Sequence, residues 1–345
     1  MFSTPLTRRK RKAAATLLLA PALLLASCTA SAHGTDLKNS DGTVNVRYEG
    51  AANTVTLIEL AQALGYLEGI KLEWVGNNSS GPLSIQNTAT GETDIGGAFS
   101  GAVVKLQEAG SPVTAVVSYY GSNDDYFVGF YSAKDSGIKN ARDLIGKTVA
   151  VNTLGAHSEA VIHTYLQAQG LSQDEIDQVQ LVVLPPTETE QAVRTHQVDV
   201  GALSGASQVH AVKQGDLQEV FRDTEVFDNF NGGEYVLRDD FINEYPEAAH
   251  ALATGTAKAV NWAASHSREE VIKKMTSIIE SRNRGEDVAA LQYFNGFGVG
   301  KNALIRDEDF SRWTGWLQDT GIVDGEITPS EYYTNQFNDL AKEGK

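Results

Sequence analysis

The alternation of short strands with helices constrains the fold of this chain more than any other feature of its sequence. Apolar residues alternate as in a strand over 44–48 and recur at helical spacing over 55–64. Three further strand patterns follow at 72–75, 93–97 and 113–119. Strands separated by helices of this length predict parallel βαβ units, which bind ligands at the carboxyl ends of their strands.

A second strand–helix series begins after Tyr120 and resembles the first. Its strands are predicted at 126–131, 147–151, 181–184 and 198–203, with helices at 140–146, 159–169 and 188–196. A last strand, 234–237, leads into a long helical tail, and the tail's tryptophans are predicted to lie in the core: Trp262, Trp313 and Trp316. The pattern therefore predicts an α/β protein with loops of Gly, Ser, Asn and Thr at one sheet edge.

The first 27 residues have the pattern of an export signal. A basic block at 8–12 precedes an apolar run, 13–26, that is too short to span a membrane. The run ends in Leu-Ala-Ser-Cys, which resembles the bacterial lipobox position by position. That resemblance implies that 1–27 is removed and that Cys28 becomes a lipidated N-terminus; an ordinary signal peptide with a chance cysteine is the alternative. The small, polar residues of 28–42 are predicted to form a flexible tether.

Composition and motif spacing exclude several classes of function. The chain has 28 basic and 44 acidic residues, a net charge of −16, which becomes −21 once the five basic residues of the signal are removed. Such an acidic chain is unsuited to non-specific nucleic-acid binding. A single cysteine excludes a disulfide framework and a Cys-rich metal site. His157 and His163 lie six residues apart, not at the spacing of a helical metal pair, so we expect no metal and no cofactor.

Four segments, together with the lipobox, are similar to sequence signatures of type II periplasmic binding proteins. Residues 143–151 (DLIGKTVAV) resemble their D-L-x-G-K-x-V-A-V signature, while 91–96 and 196–202 resemble matching segments of the two lobes. Residues 240–247 resemble the opening of their C-terminal helices. The resemblance spans 25–265 and points to the aliphatic sulfonate, taurine and nitrate binding proteins, a subgroup that also includes pyrimidine binders.

The resemblance implies a two-lobed architecture. Each lobe would be a mostly parallel sheet flanked by helices, with lobe 1 formed by 43–120 plus 232–345 and lobe 2 by 121–231. The chain would cross between the lobes twice, near 118–122 and 231–234, where glycines suit a hinge. The ligand would then lie in the cleft between the lobes.

The resemblance also implies a capture protein and not a catalyst. It would be a monomer at the outer face of the cytoplasmic membrane, held by lipid on Cys28. There it would bind a small anionic or zwitterionic solute, such as a sulfonate, taurine or nitrate, and deliver it to an ABC permease and its ATPase. The alternatives are a binder of a pyrimidine or other flat aromatic solute, a signalling module, and an enzyme like the related thiamine-pyrimidine synthase. That synthase uses an active-site histidine and iron-binding cysteines, and a lone cysteine at the lipidation position disfavours it.

The segment 155–158 is the sharpest candidate for anion binding. It leads into a helix, where free backbone N–H groups and the Ser158 hydroxyl form a neutral anion receptor. His157 would donate to the anion, shield it or cap the helix, and helix capping is the alternative role for the serines too. Further donors are expected from the strand-to-helix loops: Asn53, Asn78, Ser79, Ser80, Ser100, Thr153 and Ser204.

Aromatic and acidic residues near the strand ends support a competing ligand. Tyr48, Phe99, Tyr119 and Tyr120 could sandwich a flat ring, although each is as consistent with the core as with the site. Two carboxylates could hold a ligand ammonium or pyrimidine N–H groups: Glu49 and Glu234. If both lie in the cleft, a zwitterion or an aminopyrimidine is favoured over nitrate.

Overall fold

The strands of the protein are arranged in two five-stranded sheets. The structure, a computed structural model, describes residues 37–344, so the predicted export signal and Cys28 lie outside the described residues. The strands are β1 (Val44–Gly50), β2 (Ile70–Asn77), β3 (Ile95–Phe99), β4 (Val113–Ser122), β5 (Val128–Ala133), β6 (Thr148–Val151), β7 (Gln180–Val183), β8 (Val200–Ser204), β9 (Leu217–Arg222) and β10 (Phe230–Arg238).

Helices connect most of the strands and form the C-terminal region. They are α1 (Leu57–Ala63), α2 (Gly81–Thr90), α3 (Ser100–Glu108), α4 (His157–Ala168), α5 (Gln173–Ile176), α6 (Pro186–Arg194), α7 (Gly205–Gln214), α8 (Thr224–Phe227), α9 (Asp239–Glu244), α10 (Pro246–Ser265), α11 (Arg268–Arg282), α12 (Asp307–Ser311) and α13 (Thr314–Asp319). Short 3-10 segments lie at Ala141–Leu144, Ala289–Tyr293, Lys301–Ala303, Pro329–Glu331 and Asp339–Gly344.

The two sheets share one topology. Sheet 1 has the order β2-β1-β3-β10-β4 and sheet 2 the order β7-β6-β8-β5-β9. In sheet 1 only β10 runs antiparallel to its neighbours, and in sheet 2 only β5 does. Strand β5 is the first strand after the chain leaves β4 of sheet 1, and β10 is the first after it leaves β9 of sheet 2. The predicted α/β class with mostly parallel strands is confirmed, while helix–strand alternation alone did not reveal the antiparallel insertions.

The glycine-containing segments predicted as hinge crossings, 118–122 and 231–234, are paired strand residues of β4 and β10. The chain passes between the sheets just beyond them, at 123–127 after β4 and through α8 before β10. A side chain on Gly121 would collide with the carbonyl oxygen of Phe230 on the neighbouring strand. Glycine at this position therefore permits close approach of two strands, a role that local sequence cannot distinguish from hinge flexibility.

Capping residues set several helix boundaries. Thr56 forms a capping box at the start of α1, and Ser172 and Ser267 do the same for α5 and α11. Helix α4 begins at His157, two residues before its predicted start, because Gly155 turns the chain with a φ of 67°. Helix α7 and strand β9 were not predicted; α7 buries only Gln208 and Ala211, so its apolar periodicity is weak.

The C-terminal helices pack against both sheets. Trp313 belongs to one buried cluster with Phe99 of sheet 1 and Phe221 of sheet 2, and it is fully buried. Beyond it, Asp319 accepts a hydrogen bond from Gln167 of α4. Trp313 and Trp316 thus lie in the core as predicted, and the tail joins the two sheets. Among residues 37–344, no helix is both long enough and apolar enough to cross a membrane.

We expect Trp313→Ala to lower the free energy of unfolding by about 3–5 kcal/mol, because it removes a large buried side chain from the cluster shared by both sheets. Chemical denaturation followed by circular dichroism measures the change. The control is Trp74→Ala, since Trp74 is 39% exposed and should cost less than about 1 kcal/mol. Equal losses for the two variants would contradict the packing described here.

Candidate functional site

Two adjoining cavities lie at the carboxyl ends of the parallel strands, and the first of them lies between the sheets. The first has a volume of about 240 Å³ and the second about 190 Å³. They share Ser79, Gly81 and Tyr119 as lining residues. The first cavity is lined from both sheets, whereas the second is lined by residues of sheet 1 and its connecting segments. We refer to the two cavities together as the cleft.

Four helices begin at the wall of the first cavity. Gly81 and Pro82 start α2, His157 and Ser158 start α4, Pro186 starts α6, and Ser204 immediately precedes α7; all of these residues line the cavity. The N-terminus of a helix carries a partial positive charge and unpaired N–H groups. Within residues 37–344, no lysine or arginine lines either cavity. An anion in the first cavity would therefore be held by helix dipoles and neutral donors.

Neutral side-chain donors complete the wall of the first cavity. Ser158 is 6% exposed, and its hydroxyl lies in the first turn of α4. Tyr126 contacts Ser204, and burial raises the pKa of the Tyr126 phenol, so it stays protonated at neutral pH. The further polar lining residues are Ser79, Asn152, Thr189 and Ser207.

His157 is held in place by a buried carboxylate. Its Nε2 lies 3.1 Å from Oδ2 of Asp223, and the same oxygen accepts a hydrogen bond of 2.6 Å from the Ser122 hydroxyl. Asp223 follows β9 and Ser122 ends β4, so both passages between the sheets contribute to this contact. The other ring nitrogen, Nδ1, has no hydrogen-bond partner within the described chain.

Aromatic rings surround His157 at the back of the cleft. Its ring stacks on Phe230 with centroids 5.8 Å apart and meets the edges of Phe99, Tyr120 and Trp313 at 5.6–6.2 Å. Phe99 and Tyr120 line the first cavity as well. The cleft therefore combines polar helix termini with an apolar aromatic wall.

The loops after β2 and β6 meet across the cleft. Asn152 donates from Nδ2 to the carbonyl oxygen of Ser79 at 3.1 Å. The hydroxyls of Ser80 and Thr153 lie 3.2 Å apart. These two contacts join sheet 1 to sheet 2 on the cleft side, so the structure has its cleft closed.

The second cavity is lined by tyrosines and one carboxylate. Tyr119 stacks on Tyr235 with centroids 4.3 Å apart. Tyr48 donates its hydroxyl to Glu59 at 2.6 Å, and burial raises the pKa of that phenol to about 12. Glu49 accepts hydrogen bonds from the side-chain amides of Asn78 and Asn87.

The structure brings most of the predicted site residues to the cleft. Eleven line one or both cavities: Tyr48, Glu49, Asn78, Ser79, Ser80, Phe99, Tyr119, Tyr120, His157, Ser158 and Ser204. Thr153 contributes the contact to Ser80. Three lie elsewhere: Asn53, Ser100 and Glu234. That the eleven contact a ligand remains a prediction.

Glu234 and Ser100 lie in the interior and not at the cleft wall. Both are fully buried, and the Ser100 hydroxyl donates to Oε1 of Glu234 at 3.1 Å. Burial raises the pKa of Glu234 well above its usual value, and the nearby Asp309 carboxyl acts in the same direction. Glu234 lines neither cavity among the described residues, so the structure does not place its carboxyl at the cleft wall where it was expected to hold an ammonium. The reason is that β10 is a central strand, buried on both faces.

Asn53 forms a loop anchor away from the cavities. It has a φ of 60°, its backbone N–H donates to Glu286, and its side-chain oxygen accepts from the N–H of Asp287. It thereby ties the loop after β1 to the segment after α11. Asn53 lines neither of the two cavities among the described residues, and the expectation of a cleft role depended on a short loop sequence alone.

Several residues that line the cleft were not among the predicted site residues. Tyr126 belonged to a predicted strand, and Ser207 lies on the unpredicted helix α7. Asn152 and Pro186 stand just after strands, so a systematic listing of every residue at a strand's carboxyl end would have found them. Within 37–344, no group of three or more His, Cys, Asp or Glu side chains is placed to hold a metal ion.

The sequence matches one family model, described as NMT1/THI5 like, over residues 53–270. No curated protein sequence matches the chain at a significant level. The match covers more than half of the chain, from α1's N-terminal loop to the start of α11.

Solved structures resemble the chain over most of its length. The periplasmic aliphatic sulphonate binding protein SsuA from Escherichia coli matches with a TM-score of 0.63 and 18% identity, over 84% of this chain and 92% of its own. The periplasmic nitrate-binding protein NrtA from Synechocystis PCC 6803 has a TM-score of 0.66 and 11% identity, over 86% and 87%. The desulfurization enzyme DSZB has a TM-score of 0.54 and 15% identity, over 85% and 97%. At these identities the shared feature is the fold.

We expect Glu234→Gln to change how stability depends on pH. The unfolded chain loses the Glu234 proton above about pH 4.5, while the folded protein retains it, so this residue lowers stability as pH rises through that window. The glutamine variant lacks this effect and should gain stability relative to wild type, by up to about 1.4 kcal/mol per pH unit, between pH 5 and pH 8. Urea denaturation at both pH values measures it.

The matched control for this experiment is Glu68→Gln, at an exposed position. Its stability difference from wild type should stay the same at pH 5 and pH 8. If the stability difference for Glu234→Gln also stayed the same at pH 5 and pH 8, the pKa of Glu234 would not be raised in the folded protein, and the prediction would be contradicted.

Proposed function

The chain belongs to the NMT1/THI5-like family, and from that premise we propose that it is an extracytoplasmic solute-binding protein of an ABC importer. Its solute would be a small anion or zwitterion of the sulfonate, taurine or nitrate type. Support comes from the fold shared with a sulphonate-binding and a nitrate-binding protein. The observation that carries the proposal is the set of four helix N-termini around a cavity that no lysine or arginine of residues 37–344 lines.

Local dipoles are needed because the whole chain is acidic. With a net charge of −16, its long-range field repels an anion. Short-range donors at helix N-termini act against that field inside a cavity with little competing water. Sulfonate and nitrate have acceptor oxygens only, which matches a wall of N–H and O–H donors such as Ser158, Ser79 and Asn152.

Capture would work through closure of the two sheets over the solute. Residues of both sheets line the first cavity, so a solute that touches both binds better to the closed arrangement. The Ser79–Asn152 and Ser80–Thr153 contacts would form only on closure and would cover the solute. An ABC permease with its ATPase would then recognise the closed form, and lipid on Cys28 would keep the protein at the membrane.

The cleft chemistry supports binding over catalysis. His157 is hydrogen-bonded to a carboxylate and, within the described chain, to no hydroxyl that it could activate. The single cysteine of the chain, Cys28, stands at the predicted lipidation position. A role like that of the enzyme DSZB, which shares the fold, would be revealed by chemical change of a bound solute.

A second candidate solute is a flat aromatic ring such as an aminopyrimidine. Phe99, Tyr119, Tyr120 and Tyr126 all line the first cavity and could stack on it. With an aminopyrimidine as the solute, the proposed capture mechanism would be the same.

The chain from residue 29 onward, without lipid, should be stabilised by one class of solute. We would measure thermal unfolding with alkanesulfonates, taurine, nitrate, bicarbonate, aminopyrimidines and aromatic acids. At about a thousandfold excess over Kd the stabilisation is roughly 4 kcal/mol, a shift of several degrees in Tm. A shift by sulfonates or nitrate supports the proposal; a shift by aminopyrimidines alone supports the second candidate. Absence of any shift, with protein freed of co-purified solute by unfolding and refolding, would overturn both.

Ser158→Ala should weaken binding of the solute identified in that experiment by about tenfold or more, because a hydrogen bond to a charged group contributes roughly 1.5–3 kcal/mol. Isothermal titration calorimetry measures Kd. The control is Ser277→Ala, at an exposed position on α11 far from the lining residues, which should leave Kd unchanged. An unchanged Kd for Ser158→Ala would show that the N-terminus of α4 does not bind the solute.

A further inference from the structure

Glu49 presents an uncompensated carboxylate to the second cavity. It stands near the end of β1 and lines the cavity. Its two oxygens accept hydrogen bonds from the side-chain amides of Asn78, at 3.0 Å, and Asn87, at 2.7 Å. Amide donors orient a carboxylate without neutralising it.

Neighbouring buried acids are neutralised, in contrast to Glu49. Glu59 is paired with Arg282 at 2.6 Å, and Asp94 with Arg47 at 2.7 Å. None of the ion pairs among residues 37–344 includes Glu49. The negative charge at this wall of the cavity is therefore free to attract a cation from a ligand.

Tyrosine rings form the rest of a cation-binding environment. Tyr48, Tyr119 and Tyr235 line the same cavity, and no lysine or arginine of the described chain does. The Tyr48 hydroxyl is engaged by Glu59, and that of Tyr235 by backbone N–H groups of α1. Tyr119 stacks on Tyr235, so a cation would contact the parts of these rings that line the cavity, and aromatic rings attract cations.

We propose that the second cavity is an ammonium subsite and that the solute is a zwitterion with its anionic group in the first cavity. The inference rests on the proposed solute-binding function and narrows its substrate class. The two cavities adjoin through Ser79, Gly81 and Tyr119, so one short molecule can reach both. Glu49 would be the residue that selects a zwitterion over a simple anion.

Matched ligand pairs test this selection in the wild-type protein. Taurine and isethionate differ by an ammonium against a hydroxyl, and β-alanine and propionate by an ammonium against a hydrogen. Calorimetry should give a Kd at least tenfold lower for the ammonium member of whichever pair binds. Equal affinity within a pair overturns the subsite while leaving the proposed function in place. Failure of these four and of every solute in the thermal-unfolding panel to bind overturns the proposed function as well.

The variant Glu49→Gln tests whether Glu49 is the residue that selects a zwitterion over a simple anion. The variant should lose at least tenfold in affinity for the ammonium ligand and keep the affinity for its uncharged counterpart within about twofold. The matched control is Glu73→Gln, an exposed glutamate on the adjacent strand β2, which should change neither value. If Glu49→Gln lowers both affinities equally, Glu49 is structural and the proposal fails. If Glu49→Gln does not fold, the ratio of the two Kd values within each ligand pair, measured in the wild-type protein, tests the proposal.

Discussion

The antiparallel pairing of β10 with β4 is the constraint on which the rest of the structure depends. Because β10 is inserted between β3 and β4, the chain cannot complete sheet 1 until it has built sheet 2 and returned. Sheet 2 is built in one passage: β5 enters first, and β8 and β9 later pair on either side of it. The two passages between the sheets therefore lie close together, and the loops after β2 and β6 meet at the opposite side of the cleft.

This geometry supports the proposal of an anion site in an acidic chain. Parallel strands direct their carboxyl ends, and hence the N-termini of the following helices, toward the same edge of each sheet. Two such edges contribute four helix N-termini to one cavity. Dipoles and hydroxyls act over short distances, so they favour a solute only once it is inside and water is excluded. In the proposed site, selectivity would depend on local groups such as Glu49 and Ser158, and not on net charge.

The aromatic cluster behind the cleft couples the site to the core. Trp313, from the C-terminal region, contacts Phe99 of sheet 1 and His157 at the start of α4, the helix that follows β6 of sheet 2. His157 is in turn fixed by Asp223, at one passage between the sheets. A change in the angle between the sheets must therefore alter the packing around His157, which links opening of the cleft to core packing.

The sequence by itself determined the α/β class, most element positions and most of the candidate cleft residues. Periodicity and capping signals such as those of Ser172 and Ser267 are local, and residues at strand ends such as Ser79 and Ser158 reach the cleft by a general property of parallel sheets. Only the tertiary structure decided that Glu234 is a buried core residue with a raised pKa, while Glu49 lines a cavity and is held by two asparagine amides. Both are glutamates beside short glycine-containing segments. What separates them is whether neighbouring strands remove the carboxyl group from water, and strand order is set by contacts far apart in the chain.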